Sequence, residues 1–413
     1  MKHFEIPFQY QSLHINRIKR IRENADKRKQ DLSPSLLTFE HADLILARHF
    51  GFCFGVQNAV ERAYHILEDN PGKNIYLLSE IIHNPEVNKD LQSKGLKFIQ
   101  NTKGEQLIAW DSITPNDIVI IPAFGTTNDI EAILRQKQLS VENFDTTCPF
   151  VERVWNKGEK LGKEGYSIVL HGNPEHEETR ATMSKISEFA PVVIVTNHTD
   201  ADMLREYING NGPDERDWNV FFKSRASKGF NFRKHLNRIA VVNQTTMLAE
   251  ETEKISNFLK DVMLAKYGSE NIEYHFGSTR DTLCYATNDN QQASAELAKQ
   301  QLDLVIVVGG HNSSNTTHLV ELLKKETPTY FISSEMDLLN EKSIRHFDIE
   351  EGKVIETYGY LPKREKLRIG LTSGASCPDA LMERVMLKLL SFTDEFADID
   401  AAIDRLEEQT NGL

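Results

Sequence analysis

Ile168-Val169-Leu170-His171-Gly172-Asn173-Pro174-Glu175-His176-Glu177-Glu178-Thr179 is an apolar run that stops at a glycine and turns through short polar residues. A run this short and this apolar reads as a buried strand, and two glutamates beyond a turn suit the positive end of a helix. The same phrase recurs along the chain. Apolar runs at Ile75–Leu78, Ile118–Ile121, Val192–Val195, Ile239–Val242, Leu304–Val308 and Leu367–Leu371 end in glycine or polar residues, with helical patterns between them. Strands alternating with helices predict an α/β chain of mostly parallel sheets, with ligands bound beyond the strands' carboxyl ends.

Three cysteines each open what reads as a helix: Cys53 in Gly51-Phe52-Cys53-Phe54-Gly55, Cys148 in Asp145-Thr146-Thr147-Cys148-Pro149, and Cys284 in Asp281-Thr282-Leu283-Cys284-Tyr285. Asp-Thr-x-Cys thus occurs twice, Asp or Thr is a good N-cap, and Pro149 suits a first helical turn. A helix N-terminus is expected to lower a thiol's pKa and favour the thiolate that a metal needs. Three such thiolates hold three corners of an iron–sulfur cube and leave the fourth iron for substrate. Taken singly, a cysteine is more often a buried hydrophobe. Cys377, in Gly374-Ala375-Ser376-Cys377-Pro378, lacks the setting of the other three and is left unliganded.

The cysteine settings and the alternation predict three pseudo-symmetric α/β lobes meeting at a centre: 41–147 with Cys53, 148–283 with Cys148, and 284–390 with Cys284. Residues 1–40 read as a basic N-terminal extension, 209–238 as an insertion, and 391–413 as an acidic tail. The insertion interleaves Phe221, Phe222, Phe230 and Phe232 with Lys223, Arg225, Lys228, Arg233, Lys234 and Arg238. A single-strand nucleic-acid platform has that pattern. In a chain of net charge −13 a solvated insertion, or a docking patch for an acidic protein, fits better.

The composition, 39% hydrophobic and 26% charged, is that of a globular protein. No apolar run approaches a membrane span, and Met1-Lys2-His3-Phe4-Glu5 lacks the apolar core of a secretory signal. Acidic residues at 5, 23, 26 and 31 argue against a transit peptide. Four scattered cysteines suit a reducing cytoplasm, with a plastid stroma as the alternative.

Polar residues follow the strands: His83 after the first, His176 and Glu178 after Ile168–Leu170, and Thr245 after Ile239–Val242. Ser313, Ser314 and Asn315 follow Leu304–Val308 and precede a helix from Thr317; Ser376 follows Ile369–Leu371. Such hydroxyls and amides at helix N-termini are good phosphate ligands. Each alone is also an ordinary cap or turn. Glu178 is either a first-turn carboxylate serving the dipole or a proton donor. No Walker-type loop or GxGxxG follows a strand, so nucleotide binding is unsupported.

Together these segments closely resemble the 4-hydroxy-3-methylbut-2-enyl diphosphate reductase family over about Leu46 to Leu389. The motifs are Gly-Phe-Cys-x-Gly-Val at 51–56, Glu-Ile-x-His-Asn at 80–84, Asp-x-Thr-Cys-Pro at 145–149, Gln-Thr-Thr at 244–246, Cys-Tyr-Ala-Thr at 284–287, Asn-Ser-Ser-Asn at 312–315 and Gly-Ala-Ser at 374–376. The long N-terminus and Asn243-Gln244-Thr245-Thr246-Met247-Leu248 look like its plant and cyanobacterial branch. The resemblance implies one 4Fe-4S cluster on Cys53, Cys148 and Cys284 at the centre of a three-lobed fold. It implies diphosphate ligands at His83, His176, Thr245, Ser313, Ser314, Asn315 and Ser376, with Glu178 as proton donor. It also implies reduction to isopentenyl and dimethylallyl diphosphates, with electrons from a donor such as ferredoxin or flavodoxin. The basic stretches 17–29 and 223–238 are candidate docking sites for that donor. One departure stands out: the common bacterial pattern has Ala-His-Gly where this chain reads Ala123-Phe124-Gly125. A non-redox hydro-lyase and a cluster-bearing sensor remain as rival readings; a zinc site lacks any Cys-x-x-Cys pair.

Overall fold

The computed structural model describes residues 5–28, 30–212, 215–277, 282–393, 395 and 398–411. Asp281, the second acid of the repeated Asp-Thr-x-Cys, lies outside them, as do Met1 to Phe4 and Pro213. The chain forms two compact units. The first takes the described residues of Met1–Glu61, His83–Lys89 and Tyr285–Leu413; the second takes Arg62–Ile82 and Asp90–Cys284.

The first unit is built on a five-stranded sheet in the order Ser35–Thr38, Ala42–Leu46, Leu367–Ser373, Leu304–Val308, Thr329–Ile332. Only the first pair is antiparallel. The central run Leu304–Val308 is Leu, Ile and Val throughout because helices cover both faces, so no polar alternation is tolerated. Ala42–Leu46 lies against Leu367–Leu371, across more than 300 residues of chain. Residues 41–61, including Cys53, therefore belong to the sheet of the last predicted lobe and not to a lobe spanning 41–147. Local sequence cannot reveal such a pairing, because any apolar strand matches any apolar sheet.

The described helices near both ends of this unit contribute to its core. Ser12 caps the helix Leu13–Ala25, whose Ile15, Ile18 and Ile21 fall on one helical stripe and are buried. They share one cluster with Ile399, Ala402, Ile403 and Leu406 of the helix Ile399–Asn411. Part of the basic cluster predicted for 1–40 is engaged by acids among the described residues. Arg17 pairs with Asp404 and Glu407, Lys19 with Asp379, and Arg22 with Asp31.

The second unit holds two wholly parallel sheets. One orders Lys97–Phe98, Ile75–Leu77, Ile118–Ile120; the other orders Val192–Val195, Ser167–His171, Ile239–Asn243, Phe276–Gly277. The insertion covers an edge of the second sheet through a bridge from Ala226 to Val193. Apart from the exposed Phe221, its aromatic rings are structural. Trp218 stacks on Phe230 with centroids 5.4 Å apart and planes 9° from parallel, and Phe222 is fully buried. Rings packed on one another offer no faces to bases.

Candidate active site

Each of the three cysteines is the residue immediately before a helix: Phe54–Asp69, Pro149–Lys163 and Tyr285–Ala298. The carbonyls of Cys53 and Cys148 accept the first intrahelical bonds, from Gln57 and Glu152. No Asp or Thr side chain caps the Pro149 helix. Asp145 instead folds back onto Thr147, accepting its backbone N–H at 2.8 Å and its hydroxyl at 2.5 Å. The expectation of lowered thiol pKa fails at Cys148. Burial pushes that thiol up to about 11, outweighing the hydrogen bonds from the backbone N–H groups of Phe150 and Val151, with Cys284 and Glu178 adding repulsion. Desolvation exceeds the helix-end effect.

Cys148 and Cys284 belong to the second unit, with Glu178, His176 and Thr245. Glu178 lies in the first turn of the helix Glu177–Ile186 and is buried. Its carboxylate accepts the backbone N–H of Thr245 at 2.6 Å and the Thr245 hydroxyl at 2.9 Å. The Thr245 carbonyl accepts the N–H of Cys284 at 3.2 Å. His176 caps the Glu178 helix, its Nδ1 accepting the Glu178 N–H at 3.1 Å. His176, Glu178 and Thr245 follow the carboxyl ends of Ser167–His171 and Ile239–Asn243, adjacent in the sheet.

Gln244, Asn243 and Thr282 hold this arrangement. The Gln244 Oε1 accepts the Asn173 N–H at 3.1 Å and the Thr179 hydroxyl at 2.9 Å. Asn243 and Thr282 bond reciprocally: Asn243 N–H to the Thr282 hydroxyl and Thr282 N–H to Asn243 Oδ1, both at 2.8 Å. Thr282 of the second Asp-Thr-x-Cys therefore clamps the chain before Cys284 to the strand end before Thr245. The repeat itself was the available signal.

Cys53, His83, Ser313, Ser314, Asn315 and Ser376 belong to the first unit. The Cys53 N–H donates to the Ala375 carbonyl at 3.1 Å, and the Ala375 N–H donates to Asn315 Oδ1 at 2.9 Å. The Ser376 hydroxyl donates to the His83 carbonyl at 3.0 Å. His83, Ser313, Asn315 and Ser376 are buried. Their helix begins at Ser314 and not at Thr317, so Ser313 is the N-cap and Ser314 and Asn315 form the first turn. The buried Nδ2 of Asn315 has no hydrogen-bond partner among the described residues, leaving a donor for an anionic oxygen. Cys377 is fully buried in the apolar core, which raises its thiol far above the ordinary range.

Among the described residues of either unit, no three His, Cys, Asp or Glu side chains group as a metal site. The donor chemistry nonetheless suits a thiolate-held cluster. Three thiols share one backbone setting, and Cys148 needs a metal's charge to exist as a thiolate at neutral pH.

The strand-end placement of these residues defines an α/β protein of the LytB family: the model of that family, described as LytB protein, matches residues 44–390, and the chain belongs to it. Curated relatives carry one name. The 4-hydroxy-3-methylbut-2-enyl diphosphate reductase of a Picosynechococcus species is 39% identical over 356 residues, covering 86% of each chain. That of a Prochlorococcus marinus strain is 39% identical over 351 residues, covering 84% of this chain and 85% of its own. The fold matches a solved E-1-hydroxy-2-methyl-but-2-enyl-4-diphosphate reductase from Plasmodium falciparum, with a TM-score of 0.60 and 24% identity over 86% of this chain and 89% of that one.

Proposed function

We propose that the chain reduces 4-hydroxy-3-methylbut-2-enyl diphosphate to isopentenyl and dimethylallyl diphosphates, the last step of the non-mevalonate isoprenoid route. The allylic C–O bond breaks, two electrons and two protons enter, and water leaves. The observation that carries this reading is Glu178, a buried carboxyl group held by Thr245, whose carbonyl in turn bonds the backbone of Cys284. Cys53, Cys148 and Cys284 would hold one 4Fe-4S cluster, which supplies single electrons and Lewis acidity at the iron without a thiolate.

Glu178 delivers the proton that lets the hydroxyl leave as water. Thr245 fixes the position of that carboxyl group through two bonds, so little reorganisation accompanies transfer. His83, His176, Thr245, Ser313, Ser314, Asn315 and Ser376 bind the diphosphate, with the free Asn315 amide as one donor. The energy of diphosphate binding orients the short chain for cleavage of the C–O bond.

The electrons come from an external donor such as ferredoxin or flavodoxin. Arg17, Lys19 and Arg22 are engaged by acids, and Arg225 by Asp200. Lys223, Lys228, Arg233 and Lys234 stay exposed and form the basic surface we assign to an acidic donor. They lie in the insertion that precedes Ile239–Asn243, whereas Thr245 follows that strand, so we take them to steer encounter and not to set the electron-transfer contact. No helix among the described residues is long and apolar enough to cross a membrane; cytoplasm or stroma is the compartment we assign.

Anaerobic turnover with and without reduced methyl viologen tests the reading, with the visible absorbance of the same sample recorded. Donor-dependent formation of both five-carbon diphosphates supports it. Turnover without donor would establish a hydro-lyase, and an intact cluster without turnover would overturn the activity.

A further inference from the structure

Gly309-Gly310-His311-Asn312 joins the strand Leu304–Val308 to Ser313, the N-cap of the helix Ser314–Leu323. Both glycines are there for close approach. A Cβ on Gly309 would lie 2.5 Å from Thr316 Oγ1, and one on Gly310 would lie 2.5 Å from the His83 carbonyl oxygen. The Ser376 hydroxyl donates to that same carbonyl, so the loop runs flush against the backbone that carries His83. Two consecutive glycines also give the loop much conformational freedom to lose, and neither has a side chain with which to anchor it.

His311 supplies the anchor. Its ring stacks on Phe347 with centroids 4.8 Å apart and planes 17° from parallel, and meets Phe331 edge-on at 5.1 Å and 83°. The two phenylalanine rings meet each other edge-on at 5.9 Å. Phe331 is fully buried in the strand Thr329–Ile332. Phe347 lies in Ser343–Asp348, which with Lys353–Tyr358 forms a separate two-stranded sheet. The buried Nε2 of His311 has no hydrogen-bond partner among the described residues. Burial holds its pKa below the ordinary 6.5, against the pull of Asp337. The imidazole therefore acts here as a neutral aromatic ring.

We propose that His311 is a positioning residue for the diphosphate site. Its ring, seated against Phe331 and Phe347, orders the Gly309-Gly310 loop and so holds Ser313, Ser314 and Asn315 ready for the anion. The two-stranded sheet thereby gains a role, which is to present Phe347. Apparent affinity scales with the fraction of molecules whose loop is ordered, so loosening the ring weakens binding without removing any ligand.

The inference rests on Ser313, Ser314 and Asn315 being diphosphate ligands, so affinity and loop order are measured separately. Inorganic diphosphate is titrated calorimetrically into the anaerobic holoprotein and into His311→Ala, His311→Phe, Phe347→Leu and the His311→Ala/Phe347→Leu double variant. Hydrogen exchange of residues 309–316 is followed in the same proteins without diphosphate, and KM and kcat are recorded with reduced methyl viologen. The expected result is a Kd about 5- to 20-fold weaker for His311→Ala, with KM rising alongside and kcat little changed. His311→Phe keeps a ring and should restore the wild-type Kd. Phe347→Leu should weaken binding in the same direction and add little to His311→Ala. Exchange at 309–316 should be faster in His311→Ala, with iron content unchanged. A His311→Ala protein that binds diphosphate as the wild type does would overturn the proposal, and so would a His311→Phe protein as weak as His311→Ala. If the wild-type holoprotein itself fails to bind diphosphate, the ligand reading falls; exchange in His311→Ala then decides the anchor alone, faster exchange keeping it and unchanged exchange removing it.

Discussion

Thr245 grips Glu178 twice, through its backbone N–H at 2.6 Å and its hydroxyl at 2.9 Å, and passes the constraint to Cys284 through its carbonyl. A single residue thus ties the proton donor to a cluster ligand. Thr245→Val keeps the backbone bond and removes the hydroxyl. With a bond to a carboxylate worth about 1.5–3 kcal/mol, kcat should fall roughly 10- to 100-fold with cluster content unchanged. Glu178→Gln should cost about 10²–10⁴-fold. Normal turnover by either variant, measured anaerobically with reduced methyl viologen, would remove Glu178 from the chemistry.

Cys53, Cys148 and Cys284 share one backbone setting, whereas Cys377 sits in the core with no exposure. Serine at any of the first three should abolish the visible iron–sulfur absorbance and the iron content. Cys377→Ala should keep both, losing only about 1 kcal/mol of stability from a small cavity. A bleached Cys377→Ala protein would contradict the assignment.

Gly51, two residues before Cys53, has φ +83°, and a Cβ there would lie 2.3 Å from Asp379 Oδ1 and 2.9 Å from Lys19 Nζ. Gly51→Ala must strain the backbone and displace the Lys19–Asp379 pair. Chemical denaturation should show a loss of about 1–3 kcal/mol. Iron content should fall with it, since the Cys53 turn shifts.

Lys223 and Lys228 are exposed, and no acidic side chain is paired with either among the described residues. Reversing both to Glu should raise the apparent KM for an acidic ferredoxin about 3- to 10-fold at low ionic strength, with the difference fading as salt is added. Turnover with methyl viologen should be untouched. An unchanged KM for ferredoxin removes this surface from donor recognition.

Asp337 is buried, which by itself pushes its pKa up. The Ser333 hydroxyl and N–H at 2.8 and 2.9 Å, and Arg345 Nε at 2.9 Å, outweigh burial and hold it below the ordinary value of 3.8. The folded carboxylate keeps its charge where the unfolded chain has already taken up a proton. Its stabilisation is therefore complete above pH 3.8 and is lost as pH falls through the folded value. Asp337→Asn should lower stability by about 1–3 kcal/mol at pH 7, a gap that narrows below about pH 4 in urea titrations.

Short-range physics was legible in the residues themselves. Runs such as Leu304–Val308 and Val192–Val195 are apolar without alternation because both sheet faces are covered, and the structure places strands at those residues. Glycine, proline and small polar residues marked where those strands stop, and so where His176, Thr245 and Ser376 would stand. The position of each cysteine before a helix was equally local. What tertiary structure alone decided is long-range and competitive. Ala42–Leu46 joined Leu367–Ser373 because an apolar strand carries no address for its partner. Arg17 and Lys19 lost their freedom to Asp404, Glu407 and Asp379, more than 350 residues away. At Cys148 the local helix end favoured a thiolate and burial reversed it, because desolvation depends on every neighbour that excludes water and not on the residues adjacent in sequence.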